Sequence, residues 1–173
     1  IGHVSGCHIN PAVTISLAAI GKFPLRQVGP YLGAQVSGGL LGALFHFWVR
    51  PGGPTSYYGL TLPGPGIGEG QAFLLEAVLT FLLVTVIIGV AVSGKAPPAV
   101  AGIAIGGTLA ACILAGGALT GASLNPARTL GPAAVSGNFT AHWLYWLGPI
   151  TGGLAAAIVA VITQNLRAKP EPG

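Results

Sequence analysis

The sequence predicts an all-α membrane protein, built as an inverted repeat with two re-entrant half-helices, and three observations carry that prediction. The 173 residues hold seven Lys or Arg and three acids, all Glu, against 29 Gly and 52% apolar residues. That poverty of charge sets the chain apart from soluble domains of its size. Four stretches, 29–49, 72–92, 98–115 and 143–162, approach the roughly 20 apolar residues that cross a hydrocarbon core of about 30 Å. The triplet Asn-Pro-Ala occurs twice, at Asn10-Pro11-Ala12 and Asn125-Pro126-Ala127, each time leading into about ten small or apolar residues.

The repeat follows from register. A shift of 115 residues, without a gap, lays 5–38 over 120–153, with identities at Gly6 and Gly121, Asn10 and Asn125, Thr14 and Thr129, Ala18 and Ala133, and Gly33 and Gly148 among others. Chance does not keep register over that length, so the chain is a duplication. Between Asn10 and Asn125 it crosses the membrane three times. An odd number puts the copies on opposite faces, which makes the pseudo-two-fold axis lie in the membrane plane. The second copy has two spans before its triplet and the first has none, so two further helices are expected upstream, and four of six transmembrane helices are present. The start at Ile1 and the lack of Met agree with a fragment, and no signal peptide is recognisable. The expected organisation is a single transmembrane domain: 1–49 is the remainder of the first repeat, 71–166 the second, and 167–173 a tail.

Each triplet reads as the start of a short helix. Asn is a favoured N-cap and Pro a favoured first helical residue. Ten residues at 1.5 Å rise reach about 15 Å, half a bilayer. A lone Asn-Pro most often marks a surface turn; two inverted copies tied to spans point to half-helices. Entering from opposite faces, they meet at mid-membrane with their positive N-terminal ends facing each other. Irregular backbone at that depth is tolerated only where protein or a water-filled cavity surrounds it, so a pore is expected. Asn10 and Asn125 are expected to aim amide N–H groups at a passing oxygen while the facing dipoles repel protons and cations. A water with both lone pairs so engaged cannot relay a proton through the centre.

The run from Ser5 to Thr14 (SGCHINPAVT) and that from Gly121 to Arg128 (GASLNPAR) resemble the aquaporin, or major intrinsic protein, family. The resemblance covers about 2–166, and it implies an aquaporin-like fold, passive water transport, a homotetramer in the lipid bilayer, and no enzymatic activity. It also implies that Arg128 belongs to a narrow extracellular filter, with Ile113 and Ala122 at two further filter positions. Strict water channels usually carry His where Ile113 stands; Ile113 with Ala122 is similar to plant vacuolar members, some of which also admit ammonia, urea or peroxide. The fourth filter residue would come from a helix absent here. Thr129 and Ala133 stand where glycerol channels typically place Asp and a basic residue, and Tyr145-Trp146 match an aromatic pair typical of water channels.

Arg128 also stands out physically. Its repeat partner is Val13, and a charge within a membrane costs at least ~2.5–3.5 kcal/mol on insertion scales. The functional reading has it donating to permeants and rejecting cations; the structural one has it held by loop carbonyls. Glu76 is the sole acid in a predicted span. By the resemblance it supports the second re-entrant loop, and contact with a permeant is the alternative. His8, by the same resemblance, lines the cytoplasmic half of the pore through its carbonyl, its imidazole being a packing group. Cys7 is the counterpart of Ala122 and is expected to face the pore, although a buried free thiol is the plainer expectation for both Cys7 and Cys112. His46 and His142 read as interfacial residues. Gly pairs four apart, such as Gly29 with Gly33, Gly38 with Gly42, Gly102 with Gly106 and Gly148 with Gly152, allow close helix packing.

Lys22, Arg26, Lys95, Arg167 and Lys169 fall on one side of the four spans and Arg50 on the other, which makes the first side and the C-terminus cytoplasmic. The scattered cations do not suggest nucleic acid, no spaced His, Cys, Asp or Glu cluster suggests metal, and no cofactor is expected. Asn138-Phe139-Thr140 fits a glycosylation sequon close to Trp143. Competing readings are a broader pore for ammonia, urea, peroxide or glycerol, a secondary transporter, for which a chain without Asp lacks coupling-ion ligands, and a non-conducting structural membrane protein.

Overall fold

The computed structural model describes residues 2–50 and 58–164, and every regular element among them is helical. A short turn, α1 (Gly2–Ser5), leads to the first half-helix, α2 (Pro11–Ala19), and then to α3 (Leu25–Val49). Next come α4 (Glu69–Ile87), prolonged by a π-helical turn at Ile88–Val92, and α5 (Ala101–Thr120), entered through a 3₁₀ turn at Pro98–Val100. The second half-helix, α6 (Pro126–Ser136), and α7 (Leu144–Gln164) complete the order. Four helical stretches, Leu25–Val49, Glu69–Val92, Pro98–Thr120 and Leu144–Gln164, are long and apolar enough to cross a membrane.

These spans overrun the apolar stretches, because hydropathy marks the part that needs lipid whereas backbone caps mark where a helix stops. Extended Pro24 sets the start of α3, and Gly121, at φ 81°, ends α5 in a left-handed cap. The half-helices differ from expectation by one residue each: α2 stops before Ile20, and α6 runs on to Ser136. The 167–173 tail, with Arg167 and Lys169, lies outside the described residues.

Three close helix crossings hold the bundle together. On α7, Gly148 and Gly152 lie against the backbone of Phe73 and Ala77 on α4, with no room for a Cβ at Gly152. Gly39 of α3 and Gly131 of α6 cross in the same way, and Gly153 of α7 sits on Ser16 of α2. Apolar side chains fill in around them: Val13 and Leu17 of the first half-helix pack with Val84, Ile88 and Ala157. Ala122 and Leu124 of the second loop pack with Leu79, Leu83 and Cys112. The expected Gly pairs therefore divide. Gly148 and Gly152 make a tight contact, whereas Gly29, Gly33, Gly38, Gly42, Gly102 and Gly106 have nothing within 4 Å of where a Cβ would stand. Spacing supplies a flat face, but only a partner helix turns that face into a contact.

Candidate functional site

The two half-helices begin alike. Asn10 is extended (φ −153°) and its Oδ1 accepts from the N–H of Ala12 at 2.9 Å. Asn125 (φ −150°) accepts through Oδ1 from the N–H groups of Ala127 at 3.1 Å and Arg128 at 3.3 Å. Pro11 and Pro126, with no N–H to satisfy, take the first helical turn. The approach to each cap also repeats. Gly6 and Gly121 have φ 79° and 81°, Cys7 and Ala122 52° and 42°, Ile9 and Leu124 46° and 53°. Left-handed non-glycine residues cost about 1–3 kcal/mol each and persist only where surroundings over-determine them.

Those surroundings are reciprocal. Asn10 Nδ2 donates to the Leu124 carbonyl at 2.7 Å, and Asn125 Nδ2 donates to the Ile9 carbonyl at 2.8 Å. An amide carries two N–H groups, so each Asn spends one on the opposite loop and keeps one. Half of the donor capacity of the amides ties the two loops together, a use beyond the expected one of meeting a passing oxygen.

Glu76 of α4, fully buried, holds the second loop. Its Oε1 accepts from the Thr120 hydroxyl at 2.7 Å and the Ser123 N–H at 2.9 Å, and its Oε2 accepts from the Leu124 N–H at 2.8 Å. Around the first loop, the Thr14 hydroxyl donates to the Asn10 carbonyl at 3.1 Å. Its oxygen must then accept from Gln35 Nε2 at 2.9 Å and from His8 Nδ1 at 3.1 Å. This assigns the His8 proton to Nδ1 and leaves Nε2 as an acceptor. The imidazole is flanked edge-on by Phe23 and Tyr31 at 5.0 and 5.3 Å.

A cavity of about 260 Å³ runs past both loops and brings together Cys7, His8, Asn10, Ile113, Ala122, Asn125 and Arg128. Pro11, Ala12 and Pro126 are buried in the half-helix starts. Ala127 lines a second cavity of about 690 Å³ beside α3, which also reaches Asn125 and Arg128. Glu76 lines neither.

Over residues 1–160 the chain matches the family described as Major intrinsic protein. It belongs to that family of membrane channels, the aquaporins, and is an integral membrane protein. It is 51% identical to the probable aquaporin AqpM of Archaeoglobus fulgidus over 91% of this chain and 67% of that one. Nodulin-26 of Glycine max is 44% identical over 95% and 59% respectively, and the probable aquaporin NIP4-2 of Arabidopsis thaliana 42% over 91% and 55%. The chain thus spans little more than half the length of these plant relatives. Among solved structures, the aquaglyceroporin from Plasmodium falciparum superposes with a TM-score of 0.76 at 28% identity, covering 95% of this chain and 76% of that one.

In this aquaporin-family chain the Arg128 guanidinium donates through Nη1 to the Gly59 carbonyl and also borders both cavities. Carbonyl anchoring and exposure to the cavity therefore coexist. Cys112 is buried and Cys7 half-buried against the cavity, so the plainer expectation of a buried thiol suits only Cys112. Both thiols are free, and no group of three potential metal ligands occurs among the described residues. Sequence reasoning missed Gln35, which donates to Thr14, and Thr61, whose hydroxyl lies 2.8 Å from that of Thr129, itself 2.5 Å from that of Ser123. The one available signal was the identity of Thr14 with Thr129, each four residues beyond its Asn. Gln35 and Thr61 reach these hydroxyls from outside the re-entrant segments, and no local motif marks them.

Proposed function

We propose that the chain forms a passive transmembrane water channel that excludes protons and ions. The observation that carries this reading is the reciprocal tie of Asn10 to Leu124 and Asn125 to Ile9, set where two half-helix N-termini meet on one cavity. The amide N–H left on each Asn suits a water oxygen, and the two positive helix ends disfavour a cation or hydronium at the same point. A water oriented by both amides donates outward in both directions, which breaks a proton-conducting file. Arg128, pinned by a carbonyl, supplies a fixed positive charge and further donors along the same cavity. The contacts of Glu76 favour loop support over contact with permeant.

A second reading, a broader channel for small neutral solutes such as ammonia, urea, peroxide or glycerol, is favoured by Ile113 and Ala122. Both are apolar and line the same cavity as Arg128, and the structural neighbour is described as an aquaglyceroporin. The organisation that goes with either reading is 1–49 and 71–166 as the two repeats, a cytoplasmic C-terminus in the plasma or another cell membrane, and a homotetramer. The exposed apolar side chains of α5, Ile103 and Leu114, suit lipid or a neighbouring subunit.

Stopped-flow osmotic shrinkage of proteoliposomes carrying the full chain tests these readings. Fast shrinkage at low activation energy, without re-swelling in glycerol or urea, is the outcome expected for a water channel. Re-swelling would select the broader pore. Water flux no greater than that of bare lipid would reject both.

A further inference from the structure

The segment from Tyr58 to Gly64 lies between the repeats, outside both re-entrant loops, yet it is fastened to α3, α5 and the second half-helix. Tyr58 is buried edge-on against His46 and Phe47 of α3, Gly59 accepts from Arg128, and the Gly64 N–H donates to the Leu119 carbonyl at 2.8 Å. Between these anchors Thr61 is 2% exposed. Its hydroxyl lies 2.8 Å from that of Thr129, which lies 2.5 Å from that of Ser123. Ser123 donates to the Asn125 carbonyl at 3.0 Å and accepts from the Asn125 N–H at 3.3 Å.

Each hydroxyl has one proton, so the direction of the chain is determined. Ser123 gives its proton to Asn125, so Thr129 donates to Ser123 and Thr61 donates to Thr129. The first repeat has a counterpart. There Thr14 occupies the position of Thr129, His8 that of Ser123, and Gln35 of α3 donates to Thr14 from outside the loop. Each half-helix thus recruits one side chain from beyond its own segment onto the same Thr. The two recruits differ in kind: Gln35 sits on a spanning helix, whereas Thr61 sits on the connecting strap that also holds Arg128.

We infer that Thr61 is a positioning residue that sets the selectivity of the pore, fixing the Asn125 backbone relative to Arg128 through the Thr129–Ser123 hydroxyl chain. This rests on the reading that Asn125 and Arg128 face the permeant. Because Gly59 and Thr61 are two residues apart on one strap, the Arg128 guanidinium and the Asn125 amide are referred to a common support. A shift of the strap moves one donor against the other, and that alters which solutes the cavity between Arg128 and Ala122 passes.

The test separates the hydroxyl from the methyl, which packs on Gly121. Thr61→Val keeps the methyl and removes the hydroxyl; Thr61→Ser does the reverse. Proteoliposomes of each are compared with the parent for water permeability and for the ratio of urea or glycerol to water. The expected result is a ratio raised roughly fivefold in Thr61→Val, the factor that one hydrogen bond of ordinary net strength corresponds to, with Thr61→Ser at the parent value. Thr129→Val cuts the same chain at its middle link; it should reproduce the Val phenotype, the double variant should add nothing further, and it carries the test should Thr61→Val fail to fold. An unchanged ratio in Thr61→Val and Thr129→Val, or a change in Thr61→Ser alone, overturns the inference while leaving the water-channel reading intact. A parent protein that conducts nothing overturns both.

Discussion

Gly39 on α3 and Gly131 on the second half-helix cross so closely that a Cβ on Gly131 would overlap the Gly39 carbonyl, while one on Gly39 would overlap the carbonyl of Ala127. The half-helix is therefore pressed backbone to backbone on a spanning helix at the last residue of the Asn-Pro-Ala triplet and again a turn later, at Gly131. Either substitution by Ala is expected to lower the unfolding midpoint in detergent by an amount corresponding to at least 1–3 kcal/mol, roughly the cost of overpacking. Gly70→Ala, in open space near the start of α4, should be neutral or slightly stabilising. Equal midpoints for Gly131→Ala and Gly70→Ala would show that the crossing is loose.

Glu76 accepts three hydrogen bonds, one from the last residue of α5 and two from adjacent residues of the second loop. In Glu76→Gln the amide nitrogen must face a donor, either the Leu124 N–H or the Thr120 and Ser123 pair. About 1–3 kcal/mol of stability should be lost for each donor left unsatisfied. The variant should therefore unfold at lower temperature by tryptophan fluorescence; a parental midpoint would mean that the loop holds itself.

Cys7 lines the same cavity as both Asn residues and Arg128, whereas Cys112 is buried and directs its thiol at the Leu79 carbonyl. Mercurial reagents should block water flux in the parent and in Cys112→Ser but not in Cys7→Ser. Block that survives in Cys7→Ser would place the reactive thiol elsewhere.

His142, just before α7, accepts at Nε2 from the Trp146 indole N–H at 3.1 Å and meets Phe139 edge-on at 5.3 Å. Burial pushes its pKa below 6.5, because the charged form loses water and the indole N–H requires a lone pair. The unfolded chain then binds the proton more readily than the folded one, so stability falls as pH drops from about 6.5 towards the lowered folded value, and is unaffected above that range. Thermal midpoints between pH 7.5 and 5.5 should show this decline, and His142→Gln should flatten it. An equal decline in both proteins would assign the effect to other groups.

Much of the fold was legible in the sequence because the duplication wrote it twice. Asn10 and Asn125 announced caps, Pro11 and Pro126 announced helix starts, and apolar length marked four spans. The rest depended on contacts between residues distant in the chain. Nothing local distinguishes Gly39, which crosses α6, from Gly38, which faces open space. Thr61 lies in a polar connector with no repeat partner, so its reach to Thr129 had no signal. The reciprocal use of the Asn amides has no local signal for a related reason: each N–H meets the backbone of a loop 114 or 116 residues away.

That reciprocity has a consequence for biosynthesis. The bond from Asn10 to Leu124 joins residues 114 apart, so neither loop can be completed until three spanning helices have been made and the second half-helix has turned back into the membrane. At ribosomal speeds of 5–20 residues per second, the first half-helix waits on the order of ten seconds with its left-handed turn unsupported on that side. Co-translational insertion must therefore shelter a strained, polar turn before its partner exists, and variants weakened at either Asn should accumulate as newly made chains held by the insertion machinery.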